Sequence, residues 1–265
     1  MRARVDFARS KLFPQGFIDV LRQIALFASA YYAYRFLRGV VDDGQGAAIA
    51  FQNARELISI EQTLGFFSER AIQDVTGGWS VTTDIASLIY INAQTSVVLG
   101  AIFYLYLFHN QRYYFVRNMM IVSMAIALVG YIVYPTAPPR FFFPEYGFRD
   151  TVSEFTGVSH SDVKVNALFN PYAAVPSMHC CFAIIIGGTL ATLAKHRVTR
   201  VLWIAYPVVM AWVVVVTGNH WILDAVLGGA TAAVSLFAAR WLAGKRPAAW
   251  SFSPVRVPEP VQAQA

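Results

Sequence analysis

Long apolar runs constrain this chain more than any other feature. A helix needs about 20 predominantly apolar residues to cross a hydrocarbon core about 30 Å thick. Six stretches approach that length: 18–37, 85–108, 119–134, 178–193, 201–216 and 221–242. A backbone in lipid must satisfy its own N–H and C=O groups, which leaves helices or closed barrels. The ten-residue alternation of a barrel is absent. The expected fold is therefore all-α, a polytopic membrane helical bundle with six transmembrane helices. Charged residues make up 14% of the chain and hydrophobic ones 57%, against about 25% charged in an ordinary soluble domain.

Residues 1–245 read as a single transmembrane catalytic domain. The first span is the most polar, with Asp19, Arg22, Gln23 and Arg35, and is expected to begin at the interface and become buried from Ile24 onward. A cleaved signal peptide is the competing reading, because Ala28-Ser29-Ala30 follows a basic start. Arg22 and Gln23 interrupt the apolar region such a peptide needs, which favours retention. Between the first two spans, Leu57, Ile58, Ile60, Leu64 and Phe67 alternate with Arg55, Glu56, Glu61, Glu69 and Arg70 over 51–75. That spacing predicts an outer amphipathic helix lying on the bilayer or over the bundle. The Pro-rich stretch 246–265 reads as a disordered cytoplasmic tail.

A net charge of +6 raises nucleic acid as a partner, but no basic run interleaved with aromatics and no reading module accompanies it. The charge reports topology instead. Thirteen Lys and Arg fall before Pro14, in 109–117, in 194–200 and from Arg240 onward, against five (Arg55, Arg70, Arg140, Arg149, Lys164) in the alternate connections. The positive-inside bias puts both termini in the cytoplasm. Cys180 and Cys181, adjacent in an apolar block, read as packing residues rather than a disulfide framework.

On this topology, three polar segments meet at the extracytoplasmic face. Tyr134–Arg140 closes the third span, Val175–His179 opens the fourth, and Thr217–Asp224 opens the sixth. His220 and Asp224, four residues apart, share a helix face, so the carboxylate can hold the imidazole by one ring nitrogen and leave the other free. A histidine so oriented can attack phosphorus and form a phosphohistidine. His179, on another helix, is then available as general acid for the departing alcohol. Ser177, at a helix start after Pro176, suits an N-cap and a phosphate donor. Arg140 can neutralise phosphate charge. Asn219 and Tyr172 offer hydrogen bonds, as does Asn170, with structural roles equally open.

Rival readings weigh against this set. His109, His160 and His196 read as interfacial residues. Ser177 alone would be a cap and Arg140 alone an anchor, whereas a carboxylate one turn inside an apolar helix is functional by default. A two-His-one-carboxylate metal site competes for His179, His220 and Asp224, although the phosphohistidine scheme requires neither metal nor cofactor. A serine protease fits poorly, since Ser177 and His179 are too close in sequence to meet on a helix. A non-catalytic lipid-binding or transport protein, or a structural membrane subunit, would use the polar cluster without turnover.

At these residues the chain resembles the type 2 phosphatidic acid phosphatase superfamily. Pro176-Ser-Met-His179 matches the second motif, Pro-Ser-x-His, and His220-Trp-Ile-Leu-Asp224 the third, His-x-x-x-Asp. Tyr134-Pro-Thr-Ala-Pro-Pro and Gly218-Asn-His220 resemble the inositolphosphotransferase branch, related to inositol phosphorylceramide synthase. The resemblance spans 85–242. It implies six transmembrane helices and metal-independent transfer on a lipid or isoprenoid phosphate, with His220 as nucleophile, Asp224 as its orienter and His179 as acid. Hydrolysis, or transfer to an inositol or sugar-lipid acceptor, would complete the cycle. The first motif, Lys-x6-Arg-Pro, is broken, with Val133 seven residues before Arg140 and Phe141 after it, and Val213-Val214 stands where a Ser-Arg pair belongs. Arg140, with Lys164 in the same outer loop, is the candidate to clamp phosphate in their place.

Overall fold

The computed structural model describes residue 13 and residues 16–40, 44–77, 80–158 and 171–245. The helices are α1 (Phe17–Val40), α2 (Gly44–Leu64), α3 (Glu69–Gly77), α4 (Ser80–Phe108), α5 (Asn110–Val133), short α6 (Phe143–Tyr146) and α7 (Thr151–Thr156), then α8 (Met178–Leu193), α9 (Arg197–Val216) and α10 (Ile222–Lys245). No strand occurs among the described residues, so the fold is the expected all-α membrane bundle. The tail, Lys164, His160 and Asn170 lie outside the described residues.

Four helices, α4, α5, α9 and α10, are long and apolar enough to span a membrane. Of the two remaining runs expected to span, α8 is a 16-residue apolar helix packed among α4, α5, α9 and α10. In α1 the polar residues divide by face. Arg22 is exposed, whereas Asp19 and Gln23 are buried. The Asp19 carboxylate accepts from Gln23 (3.0 Å), Tyr106 (3.0 Å) and Tyr114 (2.6 Å). Gln23 accepts in turn from Tyr113 (3.2 Å) and Arg117 (2.8 Å). Buried polar groups of this kind are tolerable only when mutually satisfied, and this network ties α1 to the start of α5.

Close helix approach is arranged by small residues. A Cβ on Gly187 of α8 would stand 2.6 Å from the Trp203 carbonyl of α9. Pro207, four residues after Trp203, has no N–H for that carbonyl, and Gly187 lets α8 fit against the gap. A Cβ on Gly228 of α10 would lie 2.4 Å from the Ser177 carbonyl. That contact sets the distance between the helices carrying His179 and His220.

The segment expected as one amphipathic helix is two. α2 ends at Gly65, whose φ of 77° is left-handed and suits glycine, and α3 begins at Glu69. Ala50, Ala54, Leu57 and Ile58 of α2 pack with Phe142, Phe148 and Trp221 in a second core at one end of the bundle. The pair is thus integrated with that end, not laid on it as a solvated surface helix. Its charges are unequal: Arg55 and Glu145 form an exposed 3.2 Å pair, while Glu61 and Glu69 are fully buried.

Candidate active site

The three polar segments converge at this end of the bundle. The backbone N–H of Arg140 donates to the Gly218 carbonyl (2.9 Å), and that of Ser177 to the Asp224 carbonyl (3.0 Å). Thr136 and Ala173 form an isolated parallel bridge. Trp221, fully buried, donates its indole N–H to Ala137 (3.0 Å). Each link joins residues distant in sequence, so the site is fixed by tertiary hydrogen bonds rather than by any one loop.

His220 is presented by a sharp turn after α9. Gly218 takes a left-handed φ of 68°, and a Cβ there would sit 2.7 Å from the Arg149 carbonyl, so a side chain is excluded twice over. The Val214 carbonyl then accepts from both Asn219 and His220 N–H groups at 3.1 Å. Val213 and Val214, where the family pattern has a polar pair, are buried in apolar clusters, and the polar group Val214 offers the turn is its backbone carbonyl.

Nδ1 of His220 lies 3.0 Å from the Ala174 carbonyl and 3.3 Å from Asp224 Oδ2. Both neighbours are acceptors, which assigns the proton to Nδ1 and leaves the Nε2 lone pair free. Asp224 Oδ2 also accepts from Trp221 N–H at 3.0 Å. That is the reach of a capping-box side chain at the third helical position back to the N-cap residue before its helix. The other oxygen, Oδ1, is buried without a hydrogen-bond partner.

His179 opens α8, and its ring lies edge-on to that of His220 with centroids 5.7 Å apart. Its other face stacks on Tyr90 of α4 at 4.5 Å and 26°. Ser177 is fully buried and serves as the N-cap of α8, its hydroxyl oxygen accepting from Cys180 N–H at 3.4 Å. Arg140 donates through Nη1 to Oδ1 of the Asn219 side chain and places its guanidinium over Phe141 at 4.9 Å. Its Nε is buried and unpartnered. Burial pulls the guanidinium below its ordinary pKa, and Tyr90 and Asp150 act against that shift. Tyr172 is half-buried between Phe51 and Phe141 and offers its carbonyl to Thr136. Two histidines, a carboxylate and an arginine tethered one residue from His220 thus occupy one region. Among the described residues no three His, Cys, Asp or Glu side chains are grouped to hold a metal ion.

The model of the PAP2 superfamily matches residues 55–238, more than half of the chain and inclusive of both histidine motifs. The chain belongs to the PAP2 superfamily. No curated protein and no solved structure matches it significantly. PAP2 membership makes the protein an enzyme of phosphatase or phosphotransferase type, with a lipid phosphate as the general class of substrate. That sets aside the reading of the polar set as a non-catalytic lipid binder. The PAP2 match also begins thirty residues before 85, where the sequence resemblance starts, and takes in the C-terminal part of α2 and all of α3.

Several residues here have no motif to announce them. Ala174 acts through a backbone carbonyl, which carries no signal in residue type. Tyr90 sits in an apolar span, where an aromatic residue reads as packing. Glu61 and Glu69 read in the sequence only as polar residues interspersed in an amphipathic helix. In the structure Glu69 Oε1 accepts from Ile222 N–H (2.8 Å) and Glu61 Oε1 from Leu223 N–H (2.7 Å). One sequence signal was available: Ala50, Ala54, Leu57, Ile58 and Glu61 share a stripe with spacings of 3 and 4, so Glu61 falls on the apolar face of α2.

Proposed function

We propose that this enzyme transfers the phosphoryl-bearing group of a lipid phosphate through a phosphohistidine on His220, at the extracytoplasmic leaflet, in the manner of an inositolphosphotransferase. The observation that supports this reading best is the double hold on Nδ1 of His220, which leaves Nε2 as the nucleophilic nitrogen. In the first step Nε2 forms a bond to phosphorus while the bond to the lipid oxygen breaks, and His179 gives its proton to the leaving alkoxide. The ring gains positive charge as it attacks, and Asp224 beside Nδ1 stabilises it. Arg140, held by Asn219, offsets charge on the phosphoryl oxygens. In the second step His179, now neutral, takes a proton from the acceptor hydroxyl, whose oxygen displaces His220 from phosphorus.

Water as acceptor gives hydrolysis, whereas inositol or a sugar lipid gives a new phosphate ester: a monoester when a bare phosphoryl group is transferred, a diester when the transferred phosphoryl group already carries an alcohol. The run from Tyr134 to Pro139 and the Gly218-Asn-His220 sequence, which resemble the transferase branch, favour an alcohol. The deciding experiment incubates the purified protein in chelator with phosphatidic acid, an isoprenyl diphosphate or a phosphoinositide, with and without inositol. We expect phosphate release or a new phosphate ester of inositol from the wild type, an acid-labile, base-stable phosphoryl label on the chain, and neither from His220→Gln. His179→Gln should lower turnover by about 10²–10⁴-fold, the usual worth of a positioned acid. Turnover that needs added metal, or equal turnover in His220→Gln, rules the mechanism out.

A further inference from the structure

We propose that Glu61 and Glu69 are positioning residues for His220, a two-carboxyl brace from α2 and α3 that holds the first turn of α10. A helix leaves its first four N–H groups without intrahelical partners. Here three consecutive ones are met by carboxyl oxygens: Trp221 by Asp224, Ile222 by Glu69 and Leu223 by Glu61. Only the first of these is local. The other two reach across 153 and 162 residues and fix the turn that carries both His220 and Asp224 to the α2–α3 pair. Glu69 is itself held by Ser68 N–H at 3.0 Å. This inference rests on the proposed role of His220.

Two buried carboxylates and Asp224 around one helix turn would repel strongly if all were ionised. Glu61 resolves this by keeping its proton. Burial, then Glu69 and Asp224, push its pKa up to about 9, against the opposing pull of the Leu223 N–H. Its Oε2 is buried with no hydrogen-bond partner as an acceptor, and a proton there converts it into a donor toward Glu69. Glu69 from α3 and Asp224 from α10 are the charged groups acting on Glu61 among the described residues, and both are acids.

The brace therefore has a chemical signature that simple packing lacks. Glu61→Gln keeps the acceptor for Leu223 and supplies a permanent donor toward Glu69, whereas Glu61→Ala and Glu69→Ala remove one hold each. Full-length variants in detergent are compared for phosphate release from phosphatidic acid micelles across pH and for amide exchange of the peptide containing residues 221–224. We expect both alanine variants to lose about tenfold or more in kcat with KM within about threefold, and to exchange that peptide about tenfold faster. Glu61→Gln should restore kcat to within about threefold. Wild-type activity should fall as pH rises through about 9, and Glu61→Gln should move that limb upward. An unmoved limb, or alanine variants with wild-type kcat, overturns the proposal even where Glu61→Ala fails to fold. If the wild type releases no phosphate, the functional reading is at fault and exchange alone decides the brace: unchanged protection in Glu69→Ala overturns it.

Discussion

Nδ1 of His220 has two acceptors, and the shorter contact, 3.0 Å, goes to the Ala174 carbonyl rather than to Asp224 at 3.3 Å. The carbonyl is enough to select the tautomer. What Asp224 adds is negative charge beside a ring that becomes positive during attack, together with the cap on Trp221. An amide preserves the cap through its carbonyl oxygen but not the charge. Asp224→Asn should thus fold and melt like the wild type while losing about 10²–10³-fold in kcat, the scale of one preorganised electrostatic contact. Loss of folding with retained specific activity would reverse that assignment. The His220/Asp224 pair was legible because a spacing of four on a helix implies a shared face. The Ala174 contact was not, since a backbone acceptor leaves no trace in residue type. Ser177 was legible as a cap, and its buried hydroxyl is occupied with Cys180 N–H.

At the scale of elements, the apolar runs placed the bundle helices to within about five residues, because lipid thickness and hydropathy fix where a helix is worth forming, except that α5 begins at Asn110, well before the run at 119, through a polar turn a hydropathy run cannot show. The helix pair before α4 was less legible: a mixed-charge segment reads as solvated unless its partner is known, and the partner of Glu61 lies at Leu223. Helix-to-helix distance is equally invisible in sequence, although Gly228 and Gly229 are neighbours with opposite situations. A methyl at Gly228 meets the Ser177 carbonyl at 2.4 Å and Cys180 Cβ at 3.2 Å, whereas one at Gly229 meets only Ile184 Cδ1 at 3.5 Å. Backbone cannot yield as a flexible side chain does, so Gly228→Ala must push α10 from α8 and separate His220 from His179. It should lower the melting temperature, with an overpacking cost of about 1–3 kcal/mol, and reduce kcat at least about tenfold. Gly229→Ala should leave both near wild type. Equal behaviour of the two variants in a melting and turnover assay would show that the α8–α10 contact does not set the site.

For the whole molecule, the leaflet the site faces decides which lipids the enzyme meets. The charge count behind the extracytoplasmic assignment includes Arg117, yet that residue is buried within α5 and bonded to Gln23 and Asn118. An internal guanidinium held by its own polar network does not report contact with anionic headgroups, so it leaves the count. Twelve Lys and Arg against five remain, and the bias survives its removal. The chain offers a clean chemical test because its two cysteines, Cys180 and Cys181, are buried and free and should be silent to a maleimide on the folded protein. Exposed Glu145, in α6 at the end of the bundle that carries the site, and exposed Lys195, in the α8–α9 connection at the opposite end, can each be replaced by cysteine. A membrane-impermeant maleimide applied to intact cells should label Glu145→Cys, and should reach Lys195→Cys only after the membrane is opened. Since both arms use one chemistry on one background, reversed labelling would move His220 to the cytoplasmic leaflet, and with it the pool of lipid phosphates and acceptors the enzyme can meet.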